Sequence, residues 1–127
     1  MKKLFQLLMM VAISMMATSC YYDDLPAVPT PANVSYQKNI QPLFNKNCIG
    51  CHKPGGTVPD LTTTNSYLSL ITVVNGEAFV TPNDATSSIL YNVMVGNSAL
   101  VMPTNGALSA SKQALIEKWI NDGALNN

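Results

Sequence analysis

A chain of 127 residues with seven basic residues, seven acidic residues and one histidine has room for one core and a short appendage, not for two independent folding units. Its charges balance and gather into no basic cluster, which excludes binding by neutralisation of phosphates and leaves no nucleic-acid partner. Three cysteines are too few for a disulfide scaffold, and no Ser/His/Asp or paired-carboxylate arrangement for acid–base chemistry is visible.

The chain opens with Lys2 and Lys3, an apolar run from Leu4 to Ile13, and small residues leading to Cys20. That is the layout of a secretory signal, and the run is short for a membrane span. Residues 1–19 are therefore expected to be removed. The end of the segment, Ala17-Thr18-Ser19-Cys20, resembles a bacterial lipobox, which makes Cys20 the expected lipidation site. Cleavage leaves five lysines against seven acids, a net charge near −2, and only two of the seven methionines, Met94 and Met102. Residues 20–34 carry Pro26, Pro29 and Pro31 without an amphipathic period and read as the lipidated cysteine and an extended tether. By analogy with other lipoproteins, Tyr21 next to the cysteine favours the outer membrane, and Asp23 and Asp24 resemble surface-export tags.

Residues 35–127 form the expected domain. Ile40, Leu43, Phe44 and Ile49 fall on one helical stripe, and Pro42 fits a first turn, so a helix is expected from near Ile40. The segment after Cys51-His52, with Pro54, Gly55, Gly56 and Pro59, is a loop. A short helix is expected over 64–71, started by Thr64 or Asn65. Another, capped by Asp84 or Thr86, runs through Val95 with Ile89, Leu90, Val93 and Met94 facing inward. After a loop over 96–108, Ser109 caps the clearest helix, with Leu115, Ile116, Trp119 and Ile120 as its apolar stripe and Gly123 ending it. No alternating run is long enough for a sheet. The fold class is all-α, with three to five short helices and long loops. Loops this long in so small a domain call for something rigid to pack on.

Cys48, Cys51 and His52, in the run CIGCH, have the spacing of a c-type haem attachment signature. Two cysteines one helical turn apart reach two vinyl groups on one side of a porphyrin as thioethers, and the next residue projects an imidazole onto the iron. A closed structural zinc site needs four ligands, and no second pair or second histidine exists. A thioredoxin-like redox pair would follow a strand in a βαβ unit, and none is visible. One covalent haem c is thus the expected cofactor. With a single histidine, bis-histidine ligation is impossible. Met102, in a loop before Pro103, is the expected sixth ligand, while Met94 on a helix stripe reads as core filler. If Met102 only covers apolar surface, the iron is five-coordinate or more weakly ligated.

The blocks NIQPLFNKNCIGCH and VMPTNGALSASKQALIEKWINDGA resemble the cytochrome c domain family of class I type, over nearly all of residues 35–127. The resemblance implies the cytochrome c fold, with the loops wrapped around one covalent haem. It implies thioethers at Cys48 and Cys51, and axial iron ligands at His52 and Met102. It also implies a first helix that crosses the last beside the haem edge, through Phe44 and either Trp119 or Ile120. Pro59 and Leu61 resemble the family's Pro-x-Leu, whose proline carbonyl accepts the imidazole N–H. Tyr67, Tyr91 and Trp119 read as core or rim packing rather than as partners of the haem propionates.

A His/Met iron closed on both faces carries electrons and binds no substrate. The expected function is one-electron transfer between redox partner proteins of the bacterial cell envelope, by a protein that is not itself an enzyme and reaches the membrane through the lipid on Cys20. Two other readings stand beside it. A five-coordinate haem would act as a peroxidase or gas sensor, and the same carrier could serve as an accessory subunit of a larger oxidoreductase.

Overall fold

The computed structural model describes residues 29–73 and 76–127. The expected signal segment, Cys20 and the tether up to residue 28 lie outside the described residues. Val34, the last residue assigned to the tether, is buried in the core, so packing starts one residue before the expected boundary.

The first element is a π-helical turn, Tyr36–Ile40, that runs directly into α1, Gln41–Asn47. Pro42 supplies the reason for the wide turn. It has no N–H to give, and its ring crowds the carbonyl four residues back. The turn ahead of it opens, and the Gln41 N–H reaches the Tyr36 carbonyl, five residues away. Ser35 starts the turn from extended backbone: its hydroxyl accepts from the Lys38 N–H at 3.3 Å, and its own N–H donates to Asn39 Oδ1 at 2.9 Å. This is the reciprocal logic of a capping box, stretched by one residue.

Three further helices follow: α2, Ser66–Ile71; α3, Ile89–Val95; and α4, Ala110–Asn121. No strand is built among the described residues; Thr81 and Asp84 form an isolated bridge. Tyr36 and Ile40 from the π-turn, Phe44 from α1, Leu70 from α2, Leu90 and Met94 from α3, and Ile116, Trp119 and Ile120 from α4 make one core. Gly123 follows α4 with φ +100°, the left-handed conformation that closes a helix at no side-chain cost.

Two local expectations need correction. Neither Asp84 nor Thr86 caps α3. The Asp84 carboxylate instead closes the turn ahead of it, accepting from the Ser87 N–H (3.0 Å), Ser87 Oγ (2.7 Å) and Thr86 Oγ1 (2.8 Å), and Ser88 is the N-cap residue. Starting there, the inward pair separated by four is Leu90 and Met94, so Ile89 turns outward and is 37% exposed. The π-turn packs on α4, with the Tyr36 ring against Trp119 at 5.1 Å between centroids. Phe44, Trp119 and Ile120 are buried in the same core, and Phe44 meets Tyr36 edge-on at 6.4 Å.

Candidate functional site

The site grows out of the C-terminal end of α1. Phe44 is fully buried and fixes the depth of the helix, and its carbonyl accepts from both the Cys48 N–H (2.8 Å) and the Ile49 N–H (3.2 Å). The Cys48 carbonyl then takes the Cys51 N–H at 3.1 Å and the His52 N–H at 3.0 Å. Cys48, Cys51 and His52 therefore share one hydrogen-bonded turn. Cys48 is half-buried, and burial pushes its thiol up to about 11, so the uncombined side chain is a neutral thiol at physiological pH. Cys51 is exposed. No group of three or more His, Cys, Asp and Glu side chains among the described residues is arranged to hold a metal ion.

From His52 the chain makes a loop that returns to it. Residues 53–58 are exposed, and Gly56 lies so close to the Cys51 carbonyl that any side chain there would collide with it. The Pro59 carbonyl oxygen stands 3.1 Å from His52 Nδ1, and the Leu61 N–H donates to the His52 carbonyl at 3.0 Å. A carbonyl can only accept, so Nδ1 carries the proton and the lone pair is on Nε2. Leu61 is buried in the core, which anchors the far end of the loop. Asp60 stiffens the same corner by accepting from the Thr62 N–H (2.9 Å), Thr62 Oγ1 (2.7 Å) and Asn65 Nδ2 (2.7 Å). Those bonds hold its carboxyl below the usual aspartate range.

Cys48, Cys51, His52, Pro59 and Leu61 are thus brought together. Met102 belongs to a different part of the chain. It is half-buried, and its N–H donates to the Val93 carbonyl at 2.8 Å, which fastens the 96–108 loop to α3. Met94 is buried in the core. Leu100 and Val101, just ahead of Met102, are 55% and 41% exposed.

A cavity of about 590 Å³ adjoins the motif through Pro59 and lies within the range of small-molecule sites. Its walls include Val58, Leu68, Phe79 and Ile89, with Asp60 and Glu77 as its charged groups; the two cysteines, His52 and Met102 do not line it. Val58 and Leu68 are 76% and 64% exposed, a high figure for large apolar side chains that border one hollow. Sequence reasoning missed Phe79 and Leu68 as wall residues, because both sit in short segments without enough turns to show a stripe. It also missed Gln41, a polar residue in the core whose Nε2 donates to the Leu61 carbonyl at 3.0 Å. The three aromatic residues read as packing have structural partners: Tyr67 Oη donates to the Ala124 carbonyl (3.0 Å), Trp119 Nε1 donates to the Leu125 carbonyl (3.0 Å), and Tyr91 lies beside Glu117.

No protein-family model matches the chain, and no curated protein does. Among solved structures it is similar to the hydrazine synthase of Kuenenia stuttgartiensis, with a TM-score of 0.56 at 22% identity, over 72% of this chain and 16% of that one. The chain thus spans about one-sixth of the length of the structure it matches. The two share a helical fold over that stretch, and the likeness is one of fold alone.

Proposed function

We propose that this chain is a single-haem c-type cytochrome of class I type, carrying one electron at a time between redox proteins of the bacterial cell envelope. The observation that carries the reading is the geometry at His52. Its Nδ1–H is given to Pro59, which leaves Nε2 as the free donor, and Cys48 and Cys51 stand in the same hydrogen-bonded turn. A closed zinc site would need a fourth ligand beside these three, and a thioredoxin-like redox pair would follow a strand in a βαβ unit.

In this reading Cys48 and Cys51 would hold the haem as thioethers, and His52 and Met102 would bind its iron, Met102 from a loop that α3 holds in place. When bound, the haem supplies a one-electron iron couple. Everything else is the work of the chain. The Pro59 carbonyl fixes the imidazole plane and raises its basicity, the soft Met102 sulfur favours the reduced state, and a closed pair of ligands keeps substrates away. Residues 1–19 direct the chain across the inner membrane, and lipid on Cys20 tethers it to the outer one.

Expression with a c-type haem maturation system tests the assignment. The expected product keeps its haem through denaturing electrophoresis, and Cys48→Ala/Cys51→Ala loses it. The reduced protein should be slow to bind carbon monoxide. A wild-type chain that emerges without covalent haem overturns the reading, and rapid carbon monoxide binding would turn it towards a peroxidase or gas sensor. Mass spectrometry of the mature N-terminus should find diacylglyceryl-Cys20.

A further inference from the structure

Gln41 is 2% exposed and lies in the core with the fully buried Tyr36 and Ser66. A primary amide in such a place costs stability unless each polar atom finds a partner, and here each does. Tyr36 Oη donates to Ser66 Oγ at 2.7 Å, and Ser66 Oγ donates to Gln41 Oε1. Gln41 Nε2 donates to Asn45 Oδ1 at 2.9 Å and to the Leu61 carbonyl at 3.0 Å. The Leu61 N–H in turn donates to the His52 carbonyl. A leucine or methionine would fill this space without needing three partners. What the amide adds is a direct tie between α1 and Leu61, the buried residue at the far end of the loop 53–60.

We propose that Gln41 is a positioning residue for His52: through the Leu61 carbonyl it holds the loop at the height where the Pro59 carbonyl meets His52 Nδ1. The proposal rests on the haem reading for its redox consequence and not for its structural one. With the Gln41–Leu61 bond gone, the loop drifts from α1, the Nδ1–H···O=C bond lengthens, and the imidazole becomes a weaker donor. A weaker donor stabilises the ferric state less, so the midpoint potential rises.

Three variants separate positioning from general loss of stability. Gln41→Met keeps the volume and removes the amide. Ser66→Ala keeps the amide and removes its support. Val80→Ala truncates a fully buried core residue with no side-chain bond to the network. In the protein as purified, amide hydrogen exchange should show Leu61 losing about tenfold in protection in Gln41→Met relative to wild type, the size expected for one buried hydrogen bond. In the haem-loaded protein, the midpoint potential should rise in Gln41→Met, rise less in Ser66→Ala, and stay at the wild-type value in Val80→Ala. Unchanged Leu61 protection in Gln41→Met overturns the positioning role, as does lost protection with an unchanged potential. An equal shift in all three variants overturns it too, because it would report looseness rather than position. Failure of the wild-type chain to take up haem overturns the haem reading alone, since the exchange measurement reads Leu61 in the protein as purified and does not depend on a redox couple.

Discussion

Tyr36 and Trp119 pack with ring centroids 5.1 Å apart and planes tilted by 41°, joining the first described turn of the domain to its last helix. Tyr36 also meets Tyr67 edge-on at 5.3 Å and is fully buried. It is the hub of the aromatic core and the far end of the hydrogen-bond chain that runs through Ser66 and Gln41.

Tyr36 therefore has two separable roles. Tyr36→Ala should cost on the order of 3–5 kcal/mol, as for other large aromatic truncations. Tyr36→Phe keeps the ring contacts and loses the bond to Ser66, for about 1 kcal/mol. Burial raises the Tyr36 hydroxyl from 10.0 to about 12, and the neutral form is the one the fold accepts. Its contribution is thus complete below pH 10 and is lost as pH rises through 12. Urea unfolding of wild type and Tyr36→Phe across that window should show the wild type losing stability more steeply. Parallel curves would show that the hydroxyl is not what titrates.

The sequence foretold the parts of this fold whose cause is local. The apolar stripe of α4, the glycine that ends it and the turn of Cys48, Cys51 and His52 all depend on residues within four positions of one another. Tyr36 and Gln41 escaped because their value is set by neighbours far along the chain: Trp119 lies 83 positions from Tyr36, and Ser66 lies 25 from Gln41. A polar residue beside a proline gives no hydropathy signal of burial. Ile89 misled in the opposite sense, because the true N-cap, Ser88, is fixed by bonds to Thr81 and Asp84 that no periodicity reveals.

The two methionines left after residues 1–19 should fail in different ways. Met94 is buried in the core, and Met94→Ala should cost about 2–4 kcal/mol in urea unfolding of the haem-loaded protein while leaving its spectrum unchanged. Met102 is half-buried, and its described tie is through the backbone, which alanine retains. Met102→Ala should keep covalent haem, lose the thioether-to-ferric band, and bind carbon monoxide rapidly when reduced. Loss of that band in Met94→Ala instead would reverse the assignment.

Asp60 sets an acid limit. Its carboxylate is favoured by three donors from Thr62 and Asn65, and its pKa lies below the ordinary value of 3.8. For a depressed carboxyl the stabilisation is present above the unfolded pKa and disappears as pH falls through the folded one. Asp60→Asn should therefore be less stable than wild type at neutral pH, and the two should converge in acid below the aspartate range. A stability difference that is constant down to pH 2 would mean that the charge of Asp60 plays no part.

Gly55 and Gly56 stand side by side and should respond to alanine for opposite reasons. Gly55 has φ +75° with open space where a Cβ would be, so Gly55→Ala carries only the left-handed strain, about 1 kcal/mol, and should leave haem attachment intact. Gly56 lacks that φ, but a Cβ on it would strike the Cys51 carbonyl, whose oxygen also accepts the Thr57 N–H at 3.0 Å. Backbone cannot swing aside as a flexible side chain does, so Gly56→Ala must displace the Cys51 peptide or the loop that follows. Covalent haem yield per folded chain, read by haem stain against total protein, should fall well below wild type in Gly56→Ala and hold in Gly55→Ala. If the two variants behave alike, the close approach of the loop to Cys51 is not what sets the geometry of attachment.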